Sequence, residues 1–145
     1  MKCLKLFLDS SYLIYLRYAE NDEVEGYVHA LLERAVERGA ELLVNMIVID
    51  EAMWILCRKY GRSIQEVLEF IDRLIPLFGV VALDYADYDP LKEAVAKYRL
   101  KPSDGMHVAS MKKAATVYMV SEDAEFDEVD WIKRVWLGTP YEKPV

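Results

Sequence analysis

The apolar residues of the chain fall into short unbroken runs, separated by longer stretches in which they recur every three or four positions. The runs at 3–8 (CLKLFL), 41–44 (ELLV), 79–83 (GVVAL), 116–120 (TVYMV) and 133–137 (KRVWL) have the length of strands. The stretches at 11–19, 22–39, 46–60, 64–74, 90–99 and 104–113 have helical spacing. In 22–39, for example, Val24, Tyr27, Val28, Leu31, Leu32 and Ala35 share one face. The punctuation between runs agrees. Ser10, Asn45 and Ser103 stand where helix N-caps belong, Ser63-Ile64-Gln65-Glu66 has the form of a capping box, and Gly39 stops the second helix. Asp89-Pro90 reads as a cap followed by proline at the first helical position.

Strands thus alternate with helices along the whole chain. A strand without polar alternation is covered on both faces, so the pattern predicts an α/β fold with a parallel sheet between two layers of helices. Sites in such folds lie beyond the carboxyl ends of the strands. The 145 residues contain no repeat and no linker-like segment, which suits one domain over 1–145. No apolar run has the length of a membrane span, and residues 1–8 are too short for a signal peptide. A cytoplasmic protein without a membrane partner is expected. Cys3 and Cys57 sit in apolar runs and are expected to be buried free thiols, and no zinc-type spacing of Cys or His occurs. The first helix carries Tyr12, Leu13, Ile14, Tyr15, Leu16 and Tyr18 and is apolar on most of its circumference. Such a helix is either core or a surface for another chain. Ten tyrosines and three tryptophans favour an interface, and a homodimer is expected.

The formal net charge is −7, from 25 acids against 18 Lys and Arg, which by itself opposes a nucleic-acid partner. The opposition weakens if the acids gather in one place. Four of them stand where a structural role is strained. Asp9 directly follows the first strand, Asp104 lies in the first turn of its helix, and Asp123 follows the fourth strand with Asp127 four residues on. Glu51 lies in 46–57, where ten of twelve residues are apolar. Asp50 beside it points elsewhere on the helix, to solvent or a salt bridge. Three of the four acids fall on one rim of a parallel sheet, and Glu51 reaches it from the start of its helix. Carboxylates so close repel one another, and a hard divalent cation with oxygen ligands relieves the repulsion. With no ligating His or Cys nearby, Mg²⁺ or Mn²⁺ fits better than Zn²⁺. His29 is expected on a helix surface, and His107, three residues after Asp104 on the same helical side, is within reach of a hydrogen bond near the acids but is expected to be structural. Asp84, Asp87 and Asp89 lack the spacing and glycine of a calcium loop.

Four segments resemble the motifs of PIN domains of the VapC toxin type, in order and over nearly the whole chain. They are Leu8-Asp9-Ser10-Ser11-Tyr12-Leu13-Ile14, the run from Asn45 through Leu56 with Glu51, Pro102-Ser103-Asp104-Gly105-Met106-His107-Val108-Ala109, and Val120-Ser121-Glu122-Asp123-Ala124-Glu125-Phe126-Asp127. Val135-Trp136-Leu137-Gly138-Thr139-Pro140 also fits. The resemblance implies a PIN-like three-layer α/β/α sandwich with a five-stranded parallel sheet in the order 3-2-1-4-5. It implies a metal-dependent endoribonuclease that hydrolyses RNA phosphodiester bonds and is neutralised by a VapB-type antitoxin. By position Asp9, Glu51, Asp104 and Asp123 take the catalytic and metal-binding roles, Asp9 and Asp104 most directly. Ser11 takes the hydroxyl position that supports the first acid, and Asn45, Ser121 and Asp127 are supporting residues. Ser121 replaces the more usual threonine and keeps the hydroxyl.

Candidate RNA contacts are Arg17, Arg58, Lys59, Arg62, Lys97, Arg99, Lys101, Lys112 and Lys113, with 97–101 directly before Asp104. Three other readings compete: a PIN nuclease acting in RNA processing outside toxin–antitoxin systems, a catalytically silent binding module, and a phosphatase with an aspartate nucleophile. The last wants Asp-x-Asp after the first strand, where this chain has Asp9-Ser10-Ser11.

Overall fold

The computed structural model describes residues 3–145. Five strands, β1 (Lys5–Leu8), β2 (Glu41–Val44), β3 (Phe78–Val80), β4 (Tyr118–Val120) and β5 (Lys133–Val135), form one parallel sheet in the order β3-β2-β1-β4-β5. Six α-helices connect them: α1 (Ser10–Tyr15), α2 (Asp22–Glu37), α3 (Met46–Arg58), α4 (Ile64–Leu74), α5 (Tyr88–Tyr98) and α6 (Pro102–Ala114). Leu6, Phe7 and Leu8 of the central strand are completely buried. Consecutive strand residues point to opposite faces, so helices cover the sheet on both sides.

The second strand has the bounds of its run, 41–44, and the other four end up shorter than theirs. The third covers 78–80 rather than 79–83, because it lies at the sheet edge and the chain leaves the ladder at Val81, whose N–H donates to Val44 O at 2.8 Å. Cys3 precedes the first strand and is exposed, not buried, while Cys57 is half-buried, and neither is in a disulfide.

Helix starts differ from expectation at three points. Asp9, not Ser10, caps α1, accepting the Ser10 N–H at 2.9 Å. Helix α6 opens on Pro102 at its first position, so Ser103 lies inside it and caps nothing. Asp89 lies inside α5, and the capping box belongs to Asp84 and Asp87 on the preceding 3-10 turn 85–87. Those two aspartates also bind Lys113, at 3.7 and 2.8 Å, which accounts for them without calcium. Asn45 and Ser63 cap α3 and α4 as read from the sequence. Gly39 follows α2 at φ +68°, a conformation only glycine adopts freely.

Helix α1 is consumed by the core. Tyr12, Leu13, Ile14, Tyr15 and Leu16 are all buried, so its apolar circumference is no argument for a second chain. Helix α6 is nearly engulfed as well, with Asp104, Gly105 and His107 through Met111 buried. Gly105 permits this, since a Cβ there would lie 2.9 Å from Leu91 Cδ1 and 3.1 Å from Val95 Cγ2 on α5. No helix of the described residues is long and apolar enough to cross a membrane.

Candidate metal centre

The strand order reverses between β1 and β4: β2 and β3 extend the sheet on one side, β5 on the other. A crevice opens at such a reversal, beyond the carboxyl ends of the two strands. Asp9 follows β1 and Ser121 follows β4. The Asp9 N–H donates to Val120 O at 3.0 Å, and the Ser121 hydroxyl donates to Asp9 Oδ2 at 2.6 Å. Ser121 Oγ in turn accepts the Asp123 N–H at 3.0 Å, so one hydroxyl joins both acids. Burial pushes the Asp9 carboxyl above its ordinary range, with Glu51 adding to the rise and His107, Ser121 and the Ser10 N–H opposing it.

Glu51 enters from the first half of α3. His107 Nε2 lies 2.7 Å from Glu51 Oε1 and 3.7 Å from Asp9 Oδ1. The hydrogen on this ring can be located from the backbone. Asn45 Oδ1 accepts the Val48 N–H at 2.8 Å in the helix cap, which leaves Asn45 Nδ2 facing Ser110 Oγ at 2.9 Å and His107 Nδ1 at 3.2 Å. An amide nitrogen only donates, so Nδ1 accepts and the hydrogen sits on Nε2, directed at Glu51. His107 therefore holds Glu51 and is not itself free to ligate an ion. Asn45, His107 and Ser110 are completely buried, and the Ser110 hydroxyl finishes on Met106 O at 3.0 Å.

Asp104 and Asp123 form the other half of the cluster. An oxygen of Asp104, one of Asp123 and one of Glu125 lie within 4.8 Å of one another, as do ligand atoms of Asp9, Glu51 and His107. Asp104 Oδ2 is buried without a hydrogen-bond partner among the described residues, its nearest cation being exposed Lys101 at 4.0 Å. Burial raises the Asp104 carboxyl to about 6; Lys101 opposes the rise, and Asp9 and Asp123 reinforce it. Two expected members stand elsewhere. Asp127 is exposed, belongs to neither group of converging acids, and is bound by Arg134 at 2.9 and 3.1 Å. Ser11 supports the loop after β4 by accepting the Glu122 N–H at 3.3 Å; Ser121 is the hydroxyl on Asp9.

A family model for the PIN domain matches residues 6–132. The chain belongs to the PIN domain family. Among curated proteins it is similar to Ribonuclease VapC6 of Methanocaldococcus jannaschii, 25% identical over 150 residues, 88% of this chain and 94% of the relative. Among solved structures, VapBC2 from Rickettsia felis bound to a promoter DNA fragment superposes with a TM-score of 0.68 at 9% identity, over 90% of this chain and 97% of that one. Mycobacterium tuberculosis VapC20, a sarcin–ricin loop cleaving toxin, gives 0.63 at 17% identity over 84% and 92%. PAE2754 from Pyrobaculum aerophilum gives 0.62 at 14% identity over 92% of both chains.

The donor set of this PIN domain suits a divalent ion. It offers carboxylate oxygens, one of them buried without a partner, and no free imidazole nitrogen or thiolate, which favours a hard cation over zinc. Asp9, Glu51, Asp104, Asp123 and Glu125 are the residues that would hold it. Sequence reasoning passes over Glu125, and it reads His107 chiefly as structural while allowing it a hydrogen bond near the site. The three-residue step from Asp104 to His107 is the one available signal for the histidine.

A pH dependence follows from Asp104. Between 3.8 and about 6 the folded chain keeps a proton that the unfolded chain has released. Stability of the metal-free protein therefore falls as pH rises through that window and levels off above it. At neutral pH, metal-free Asp104→Asn is expected to be more stable than wild type by about 1–2 kcal/mol, discounted for solvent screening. Its melting temperature should also vary less with pH across that window. Chemical and thermal denaturation at several pH values measure the two, and a wild-type stability that rises across the window would reverse the assignment.

Proposed function

We propose that this PIN domain is a metal-dependent endoribonuclease that hydrolyses RNA phosphodiester bonds. In this reading it is a cytoplasmic VapC-type toxin held in check by a VapB-type antitoxin, and it works with Mg²⁺ or Mn²⁺. The observation that carries the reading is the convergence of acids from four separate chain segments at the sheet reversal, two of them, Asp9 and Asp104, displaced upward by burial and mutual repulsion. Such a cluster is unfavourable on its own terms and becomes favourable against positive charge.

Each residue then has a task. Asp9 is fixed by the Ser10 N–H on one oxygen and the Ser121 hydroxyl on the other, so it offers rigid negative charge at the crevice. Glu51, with one oxygen held by His107, has the second free to take a proton from an attacking water. Asp104 and Asp123 supply the opposite wall. What the ion supplies when bound is positive charge against the phosphoryl oxygens and a lowered pKa for the attacking water. The working unit in this reading is a homodimer, and α4 with the following turn offers exposed Ile64, Leu68, Ile75 and Leu77 for it.

Chelation tests the central claim. Cleavage of a single-stranded RNA is expected to stop in excess EDTA and to resume when Mn²⁺ or Mg²⁺ is restored. Cleavage that continues under chelation would remove the metal from the mechanism.

A further inference from the structure

An acidic protein that binds RNA must concentrate its cations somewhere, and the ion pairs narrow the choice. Lys112 is taken up by Glu93, Lys113 by Asp84 and Asp87, and Arg134 by Asp127. Arg17, Arg58, Lys59 and Arg62 have no carboxylate within 4.0 Å among the described residues; each lies over an aromatic ring instead. The Arg58 guanidinium is 4.4 Å from the Trp54 ring centroid. Lys59 lies over Tyr60 at 5.7 Å, and Arg17 and Arg62 over Tyr18 at 4.8 and 5.0 Å. Tyr18 and Tyr60 stack on each other, with centroids 5.2 Å apart and ring planes inclined by 20°. Trp54 is 60% exposed, far more than a large aromatic needs to be, with its ring open to solvent beside the cation.

This surface is continuous with the acids. Trp54 is one helical turn beyond Glu51 on α3, on the same side of the helix. A hollow of about 270 Å³ runs between α1 and α3; Ser10 and Ser11, the residues after Asp9, border one part of it, and Trp54, Arg58 and Tyr60 border another. Unpaired cations beside an open aromatic face, that of Trp54, are what a single-stranded polynucleotide uses: phosphates meet the cations, and a base stacks on the ring.

We propose that Trp54 and Arg58 form a nucleobase-stacking subsite for single-stranded RNA next to the scissile phosphate, with Tyr60, Tyr18 and their cations continuing the track. The subsite rests on the nuclease reading for its substrate, and it adds the requirement that the strand be unpaired there. Any base can stack on a π face, so the subsite confers a preference for single strands and no sequence code.

Binding is read in the Asp9→Asn background with Mg²⁺, where the strand stays intact, using a fluorescein-labelled uridine dodecamer and an abasic ribose-phosphate strand of equal length. Adding Trp54→Ala, an exposed position the fold does not need, is expected to weaken uridine binding about tenfold and leave abasic binding unchanged. Arg58→Gln is expected to weaken both and to flatten the salt dependence by about one phosphate contact. In the otherwise wild-type enzyme Trp54→Ala should raise KM with little change in kcat. Equal uridine affinity with and without Trp54 would overturn the subsite in favour of a protein-docking role for this face. Undetectable uridine binding in the Asp9→Asn background, or equal losses on both strands, would overturn it too. A wild-type protein that binds the strand through Trp54 but never cuts it would sink the nuclease reading and leave the subsite standing.

Discussion

Replacing Asp9 with asparagine is expected to lower RNA cleavage about a thousandfold while the protein stays folded. The two side chains have the same shape, so the packing around the end of β1 is undisturbed. The hydrogen bonds also survive in altered form. The amide oxygen of the variant can still accept the Ser10 N–H, and the amide nitrogen can donate to Ser121 Oγ, which has a second lone pair beside the one that receives the Asp123 N–H. What disappears is one unit of negative charge from a carboxylate of the cluster that is only 6% exposed. Because burial and Glu51 hold that carboxyl above its ordinary value, the unliganded variant should melt no lower than wild type. Loss of activity with retained or increased stability separates a chemical role from a structural one. The assay pairs cleavage rates at saturating Mn²⁺ with melting temperatures in EDTA. Retention of more than about a tenth of wild-type activity would exclude Asp9 from the chemistry.

The fold and the acids were legible in the sequence for the same reason. A strand buried on both faces is an unbroken apolar run, and a carboxylate immediately after such a run has nowhere to lie except the rim of the sheet. Asp9 announces itself in this way, Asp123 follows its run three residues on, and Glu51 stands out by its apolar neighbours. The second layer of the site was not legible. Asn45 and His107 are 62 residues apart, and nothing in local periodicity links them. Helix α6 is buried on most of its surface, so its polar residues do not mark a solvent face, and a histidine there looks like any core residue. Ser11 and Ser121 show the related difficulty that two hydroxyls in motif positions cannot be told apart until the strands are paired. The strand neighbours β1 and β4 decide it in favour of Ser121. The pairing of Asp127 with Arg134, seven residues on in the next strand, is likewise beyond the reach of helix or turn arithmetic. Asp89-Pro90 and Ser103 look like caps only when each stands alone. The capping box at 84–87 starts a turn earlier than Asp89, and Pro102 already occupies the first helical position before Ser103.

The buried pair behind Glu51 yields the second large effect. His107→Ala is expected to weaken Mn²⁺ binding and lower cleavage by about 10- to 100-fold, the cost usually seen when an outer hydrogen-bond partner of a metal-binding carboxylate is lost. The reasoning runs along the chain of donors. The Val48 N–H fixes the Asn45 amide, the amide fixes the ring, and the ring directs its Nε2 hydrogen at Glu51 Oε1 over 2.7 Å. Without the ring, Glu51 is a long side chain on a helix, one-fifth exposed, with several rotamers available and a like-charged neighbour in Asp9 to push it outward. Ion binding would then have to overcome both the lost rotamer freedom and the repulsion. Removing a fully buried ring also leaves a cavity, so a fall in melting temperature alone would say nothing about positioning. Two measurements separate the roles. His107→Gln, which keeps an N–H donor at similar reach, should recover much of the Mn²⁺ affinity measured by calorimetry. Raising Mn²⁺ should recover kcat in His107→Ala, since every carboxylate remains. If His107→Ala binds Mn²⁺ as tightly as wild type and is merely less stable, the ring only fills space. Asn45→Ala, which releases the ring without deleting it, should fall between wild type and His107→Ala in affinity, because the donor to Glu51 survives but is no longer aimed.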